Sequence, residues 1–211
     1  MEIVIASKNK GKIKEIRHFF SNSLLPQNIR EIKWLSSEDF VGFPDIDEGS
    51  ESFVENAKLK AQQIAEFTGK TALADDSGLE VDALSGNPGV TSSRYAGPDS
   101  TDEKNRKKLL SELREISLME KRCARFKCVM ALYSPGNGFI NISEGVCEGK
   151  IGFSETGKNG FGYDSIFIPD GFSRTMAELS NSEKNSISHR GKALEGIAKF
   201  LEKQNWRREE I

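Results

Sequence analysis

Residues 71–97 read TALADDSGLEVDALSGNPGVTSSRYAG, and this stretch decides how the rest of the chain is understood. A short apolar run from Thr71 to Ala74 leads directly into Asp75 and Asp76, with Ser77 and Gly78 following as a glycine turn. Charge at the carboxyl end of a strand stands where α/β proteins place their ligands. Adjacent carboxylates repel, so a cation or a shared proton has to hold them together. Oxygen-rich surroundings with few cysteines suit a hard ion such as Mg²⁺. An Asp-Asp-Ser-Gly segment taken alone reads better as a solvated turn, so the remainder of the chain has to decide.

Working upstream, residues 2–6 form a strand, and Ser7 opens a loop into a helix over 11–20. On that helix Ile13, Ile16 and Phe20 recur at helical spacing. A strand around 32–35 precedes a polar loop through Asp47, Glu48 and Gly49. Ser52-x-x-Glu55 is a capping box, after which Phe53, Ala57, Ala61, Ile64 and Ala65 make a buried stripe. Gly69 ends that helix. Downstream, a Gly/Pro loop at 86–89 leads to a charged helix over 101–115. Residues 125–133 and 138–147 read as a hairpin, and the glycine loop 157–162 precedes a strand over 163–168. From Glu195, the spacing of Ile197, Ala198 and Leu201 predicts a terminal helix. Alternating strands and helices predict an α/β fold with a β-rich insertion.

The 211 residues are enough for one domain, or for two lobes sharing a core. With 30 Lys and Arg against 32 Asp and Glu, the net charge of −2 offers no bulk attraction to nucleic acid or an anionic membrane. No apolar run approaches the ~20 residues of a membrane span. In the opening MEIVIASKNKGK the basic residues follow the apolar ones, the reverse of a secretion signal. Cys123, Cys128 and Cys147 cannot all pair and match no common zinc spacing. The expectation is a reduced, cytoplasmic protein.

Four further segments bear on chemistry. Ser7, Lys8, Asn9, Lys10, Gly11 and Lys12 leave a strand and enter a helix, where backbone N–H groups and lysines favour an anion. The spacing is not that of a P-loop, and a solvated basic helix start explains it equally. Asp47 and Glu48 precede a helix on which Asn56 and Lys60 share one face opposite the apolar stripe. That face offers an amide and an ammonium to a phosphate, though an exposed polar face is the more ordinary reading. In Gly160-Phe161-Gly162-Tyr163-Asp164 the aromatics suit stacking on a nucleobase with the Asp at its edge; core filling beside a turn serves as well. Lys184, His189 and Arg190 cluster in a pattern suited to phosphate or purine carbonyl groups. His18, the only other histidine, reads as packing or surface.

Taken in order, SKNKGK, SFVENAKLKA, ALADDSGLEVDAL, GVTSSRYAG, GFGYDSIF and EKNSISHRGKAL resemble the inosine triphosphate pyrophosphatase family, also called Ham1-like or dITP/XTP pyrophosphatases. The resemblance implies an elongated α/β mixed sheet with flanking helices, residues 1–211 forming one domain of two lobes around a central nucleotide-binding cleft. It also implies a homodimer. The implied reaction is Mg²⁺-dependent hydrolysis of ITP, dITP and XTP to the monophosphate and pyrophosphate. Carried over by position, Ser7 to Lys12 match the phosphate-binding start and Lys60 a helix lysine reaching the phosphates. Asp76 matches the proton acceptor and metal-associated Asp, with Asp75 its neighbour and Ser77 a substrate contact. Phe161, Gly162, Tyr163 and Asp164 match the base-binding segment, and Lys184, His189 and Arg190 the base-recognition end. The family's acidic pair followed by Thr-Gly stands here as Asp47-Glu48-Gly49-Ser50, which leaves open which acid meets the metal. Ser165 replaces a proline often found after the FGYD segment.

Overall fold

The structure, a computed structural model, describes residues 1–47 and 49–203. Its sheet runs in the order β2 (Lys33–Leu35), β1 (Glu2–Ile5), β3 (Thr71–Val81), β5 (Cys123–Ser134), β6 (Gly138–Ile151) and β7 (Phe167–Pro169), with β4 (Pro88–Gly89) paired to β3. The chain divides into two units. The first holds Met1–Asp75, Val129–Glu144 and the segment from Ala193; the second holds Asp76–Cys128 and Gly145–Lys192.

In the first unit, β1 (Glu2–Ile5) lies parallel to β2 (Lys33–Leu35) and to the start of β3 (Thr71–Val81). Ile3 faces Thr71 and Ile5 faces Leu73 in this register. A strand with parallel neighbours on both sides is covered on both faces, so β1 reads as the uninterrupted run Ile3-Val4-Ile5, all three fully buried. Helix α1 (Lys10–Phe20) buries Ile13, Ile16 and Phe20, and the short α2 is Gln27–Arg30. Helix α3 (Phe53–Thr68) starts at Ser52, whose hydroxyl accepts from Glu55 N, and ends at Gly69, where φ is +66°. That left-handed C-cap suits a residue without a Cβ. Ala57, Ala61 and Ala65 flank Ile64 on its buried stripe, packing with Val4, Ala72, Ala74, Val129 and Ala131. Small side chains there bring helix and sheet into close contact.

In the second unit, β4 (Pro88–Gly89) pairs antiparallel with Leu79 and Glu80 of β3. Helix α4 (Asp102–Glu112) is capped by Thr101, and β5 (Cys123–Ser134) and β6 (Gly138–Ile151) follow. Strand β7 (Phe167–Pro169) pairs with β6, where a Cβ at Gly149 would stand 2.3 Å from the Ile168 carbonyl. Helices α5 (Asn181–Ile187) and α6 (His189–Lys203) close the described chain. The core of this unit gathers Leu79, Val81, Leu109, Leu113, Phe126, Ile151, Tyr163, Ile166 and Phe167. One buried arginine serves it: Arg122 donates to the carbonyls of Leu113, Ile116, Ile151 and Gly152, so burial lowers its pKa without leaving its N–H groups unsatisfied.

Several expectations are corrected. Asp75 and Asp76 stand inside β3, which continues through Ser77 and Gly78 to Val81, so neither a solvated turn nor a strand end describes them. The strand expected over 163–168 shrinks to Phe167–Pro169, because the backbone after Gly160 turns back on itself through Asp164 N to Phe161 O. The face of α3 bearing Asn56 and Lys60 is buried, not exposed. The terminal helix begins at His189, ahead of Glu195. Glu48 lies outside the described residues.

Candidate active site

The first unit brings together Asp75 and the start of α1. Lys12 Nζ stands 2.9 Å from Asp75 Oδ2, with the carboxylate almost wholly buried. That ammonium provides the cation the neighbouring carboxylates call for, and side chains alternate along a strand, so Asp75 and Asp76 point to opposite faces of the sheet. The N-terminus of α1 is occupied from within: Asn9 Oδ1 accepts from Gly11 N at 2.9 Å and Lys12 N at 3.2 Å. Ser7 Oγ in turn accepts from Asn9 N at 3.1 Å. Two of the N–H groups expected to meet an anion are therefore committed to a cap, leaving lysine side chains as the attraction for phosphate. Lys8 pairs with Asp45 at 2.6 Å, while Lys10 turns to the outer side of α1 beside Ile13, Lys14, Arg17 and His18.

Lys60 is buried on α3, one turn beyond Asn56. Asn56 grips the loop leading into the helix, its Oδ1 accepting from Ser50 N and its Nδ2 donating to Ser50 O, both at 3.1 Å. The end of the acidic loop that holds Asp47 is thus pinned from the side opposite solvent. Asn56 is a positioning residue that helical spacing alone places on the wrong face. Its amide, matched to a backbone N–H and C=O, is what makes burial tolerable.

The second unit gathers the other expected residues. Asp164 Oδ2 accepts from Lys184 Nζ at 2.7 Å and from Phe161 N at 2.9 Å. Lys184 Nζ lies 5.0 Å from the centroid of the Phe161 ring, and Arg190 Cζ lies 5.6 Å from it. Both distances fall within cation–π range. Arg190 Nη2 also donates to Ser77 Oγ at 3.2 Å, which ties the start of α6 to β3 directly after Asp76. His189 is buried and stacks on Phe126 with centroids 4.7 Å apart. Tyr163 belongs to the core: its hydroxyl donates to Ser92 O at 2.8 Å, and burial raises its pKa. Of the two aromatics expected to stack, Phe161 alone remains partly exposed.

Several contributors were missed from sequence. Ser92 Oγ accepts from Leu79 N and donates to Gly89 O, and Asn105 holds Ser93 O and Ala96 N, so the segment after the GNPG loop braces β3 against α4. Asp102 and Arg106 contact Gly162 from α4. Their four-residue spacing on a charged helix was visible, but nothing local told which charges faced inward.

Asp76 offers carboxylate oxygens, the donor type that Mg²⁺ takes while keeping water or phosphate in its other positions. Asp76 is buried and Asp47 exposed, and among the described residues no group of three or more His, Cys, Asp or Glu forms a ready cage.

Fold and side chains together define an α/β protein whose second unit presents Lys184, Asp164 and Arg190 beside the partly exposed ring of Phe161, a set suited to a phosphorylated heterocycle. The Ham1 family model matches residues 3–200, and the chain belongs to that family. It is 47% identical over 201 residues to a dITP/XTP pyrophosphatase of Desulforamulus reducens, covering 95% of this chain and 96% of that protein. A dITP/XTP pyrophosphatase of Elusimicrobium minutum is also 47% identical, over 203 residues, covering 95% of this chain and all of that protein (100%). The solved structure of a HAM1 protein from Coxiella burnetii superposes with a TM-score of 0.82 at 44% identity, covering 96% of this chain and 98% of that one.

Proposed function

We propose that this protein is a nucleoside-triphosphate pyrophosphatase acting on purine nucleotides that carry an oxo group at position 6, namely dITP, XTP and ITP. It would release the monophosphate and pyrophosphate and so keep these nucleotides out of DNA and RNA. The names of its relatives support the reaction class. The observation that carries the reading is the buried group around Phe161, in which Lys184 is fixed by Asp164 and Arg190 lies beside the ring.

In this reading water attacks the α-phosphorus, the bond from it to the bridging α–β oxygen breaks, and pyrophosphate leaves. In this reading Asp76 accepts the proton of the attacking water. A carboxylate of ordinary pKa, ~3.9, is a weak base at neutral pH. Asp76 and an acid of the 47–48 pair would hold Mg²⁺, which when bound would neutralise charge on phosphate oxygens and make a water more acidic. Lys12 and Lys60 offset the charge that develops on departing pyrophosphate. Ser7 to Lys12 flank that end of the substrate.

At the other end Phe161 stacks on the base, while Lys184, His189 and Arg190 provide donors for the 6-oxo oxygen. Adenine presents an amine there and leaves a buried donor unmatched. Guanine adds a 2-amino group that must meet a steric or unpaired-donor penalty. We further propose that the enzyme works as a homodimer in the reduced cytoplasm, where the three thiols remain free. No described helix is long and apolar enough to cross a membrane.

Turnover of dITP in ¹⁸O-labelled water tests the bond assignment. Label in the monophosphate and none in pyrophosphate is expected. Label in inorganic phosphate, with a diphosphate as the other product, would refute it.

A further inference from the structure

Helix α4 carries two side chains that close on the backbone of a single residue, Gly162. Asp102 Oδ2 accepts from Gly162 N at 2.7 Å, and Arg106 Nη1 donates to Gly162 O at 2.8 Å. Residues four apart share a helix face, so the clamp has a rigid base. Arg106 is itself oriented, its Nε donating to Glu155 Oε2 at 2.8 Å. The helix is fixed in its first turn by Asn105, and Arg122 holds the carbonyls of Leu113 and Ile116 just past its end.

The segment held in this way has little rigidity of its own. Gly160 and Gly162 take φ of +77° and +60°, conformations that side-chain-bearing residues rarely adopt. A Cβ at Gly160 would stand 2.0 Å from Asp164 Oδ2, so that glycine is needed for Asp164 to reach Phe161 N. Two such glycines flank Phe161, and ordering them on folding carries a large entropic cost. The Asp164 bond anchors one side of Phe161, and the α4 clamp anchors the other. Between these anchors the ring keeps its place beside Lys184 and Arg190.

We propose that Asp102 and Arg106 are positioning residues for base recognition, fixing the backbone on both sides of the Gly162 Cα so that Phe161 is presented in its stacking conformation before a nucleotide arrives. The inference rests on the reading of the Phe161 group as the base-recognition end. Without the clamp the 160–164 loop populates other conformers, and apparent affinity falls by the fraction that remains competent. The phosphate chemistry does not depend on this loop, so KM rises while kcat holds.

Two measurements on the full-length protein test this: steady-state pyrophosphate release from dITP, and amide hydrogen exchange across residues 160–164. Arg106→Ala is expected to raise KM about tenfold with kcat within about twofold, and to speed exchange of the loop about tenfold, the scale of one charge-assisted hydrogen bond. Asp102→Ala should act the same way. Asp102→Asn retains an acceptor for Gly162 N and should recover most of the loss. If Arg106→Ala does not fold, the Asp102→Ala and Asp102→Asn pair carries the test alone. Unchanged KM and exchange in folded variants would overturn the proposal. So would kcat falling together with melting temperature, because that is the signature of a structural role. Wild-type protein that releases no pyrophosphate from dITP refutes the functional reading instead, and the exchange arm still reports whether the clamp holds the loop.

Discussion

Lys184 Nζ and Asp164 Oδ2 lie 2.7 Å apart with only 7% of either side chain exposed, and the same carboxylate oxygen accepts from Phe161 N. The pair therefore links α5 to the loop that carries the partly exposed ring of Phe161. Truncating one partner of a buried ion pair strands the other charge, at about 3–5 kcal/mol. Lys184→Ala should destabilise by that order. The double change Asp164→Asn with Lys184→Met removes both charges and should recover much of the stability without recovering activity on dITP. Urea midpoints together with kcat/KM separate the two effects. Recovered activity in the double variant would make the pair purely structural.

Asp76→Asn keeps the shape of the side chain inside β3 and removes its basicity. Turnover should fall at least ~10²-fold, the lower range for loss of a general base, with an unchanged far-ultraviolet circular dichroism spectrum. Near-full activity would remove Asp76 from the mechanism.

Lys60 requires a different substitution from the one an exposed position would suggest. It is buried, so Lys60→Met, which keeps the stem and drops the charge, tests phosphate handling better than Lys60→Ala. A fall in kcat/KM of about ten- to a hundredfold with a melting temperature close to wild type is expected. Normal kinetics in a folded variant would leave Lys60 a packing residue.

Much of this architecture was legible in sequence because its signals are local. The Ser52 cap, the Gly69 stop and the alanine stripe of α3 stand where 3.6-residue spacing and cap chemistry place them. The order of strands and helices likewise follows from alternating patterns. What was hidden depends on distant partners. Lys12 neutralising Asp75 allowed β3 to run through two carboxylates that look like the end of a strand. Asn56 and Lys60 look like a solvent face because the loop at Ser50 that covers the amide is six residues away and irregular. Tyr163 and Phe161 look equivalent in sequence, and only distant partners, the core packing and the carbonyl of Ser92, assign the first to the core. The motifs group these residues without separating Asp164, which holds the loop, from Phe161, which stays partly exposed.

Arg190 distinguishes base reading from phosphate grip. It lies beside Phe161 and bonds Ser77. If it donates to the 6-oxo group, Arg190→Ala should lower kcat/KM for dITP about ten- to a hundredfold and narrow the margin over dATP. An equal proportional loss on both nucleotides would assign it to phosphate.

Acid should loosen α5 through its own cap. The Glu183 carboxyl is lowered from 4.5 to about 2, first by the Ser180 backbone N–H, then by the Ser180 side chain and Arg174. Because the folded value lies below the unfolded one, the stabilisation is complete above about pH 4.5 and is lost as pH falls towards about 2. Glu183→Gln, which keeps an acceptor but cannot titrate, should flatten that part of the profile. Urea midpoints for both proteins across this range report it. Parallel curves would mean that the cap contributes nothing.

The most direct test of the function is a single competition series: kcat/KM for dITP, XTP, dATP and dGTP under one Mg²⁺ condition, with phosphorus products separated. Loss of a matched buried hydrogen bond to the base gives discrimination of up to ~10⁴–10⁵. A preference for dITP and XTP of at least ~10²-fold, with pyrophosphate and the monophosphate as the only products, is expected. Equal rates on all four nucleotides, or release of inorganic phosphate with a diphosphate, would contradict it.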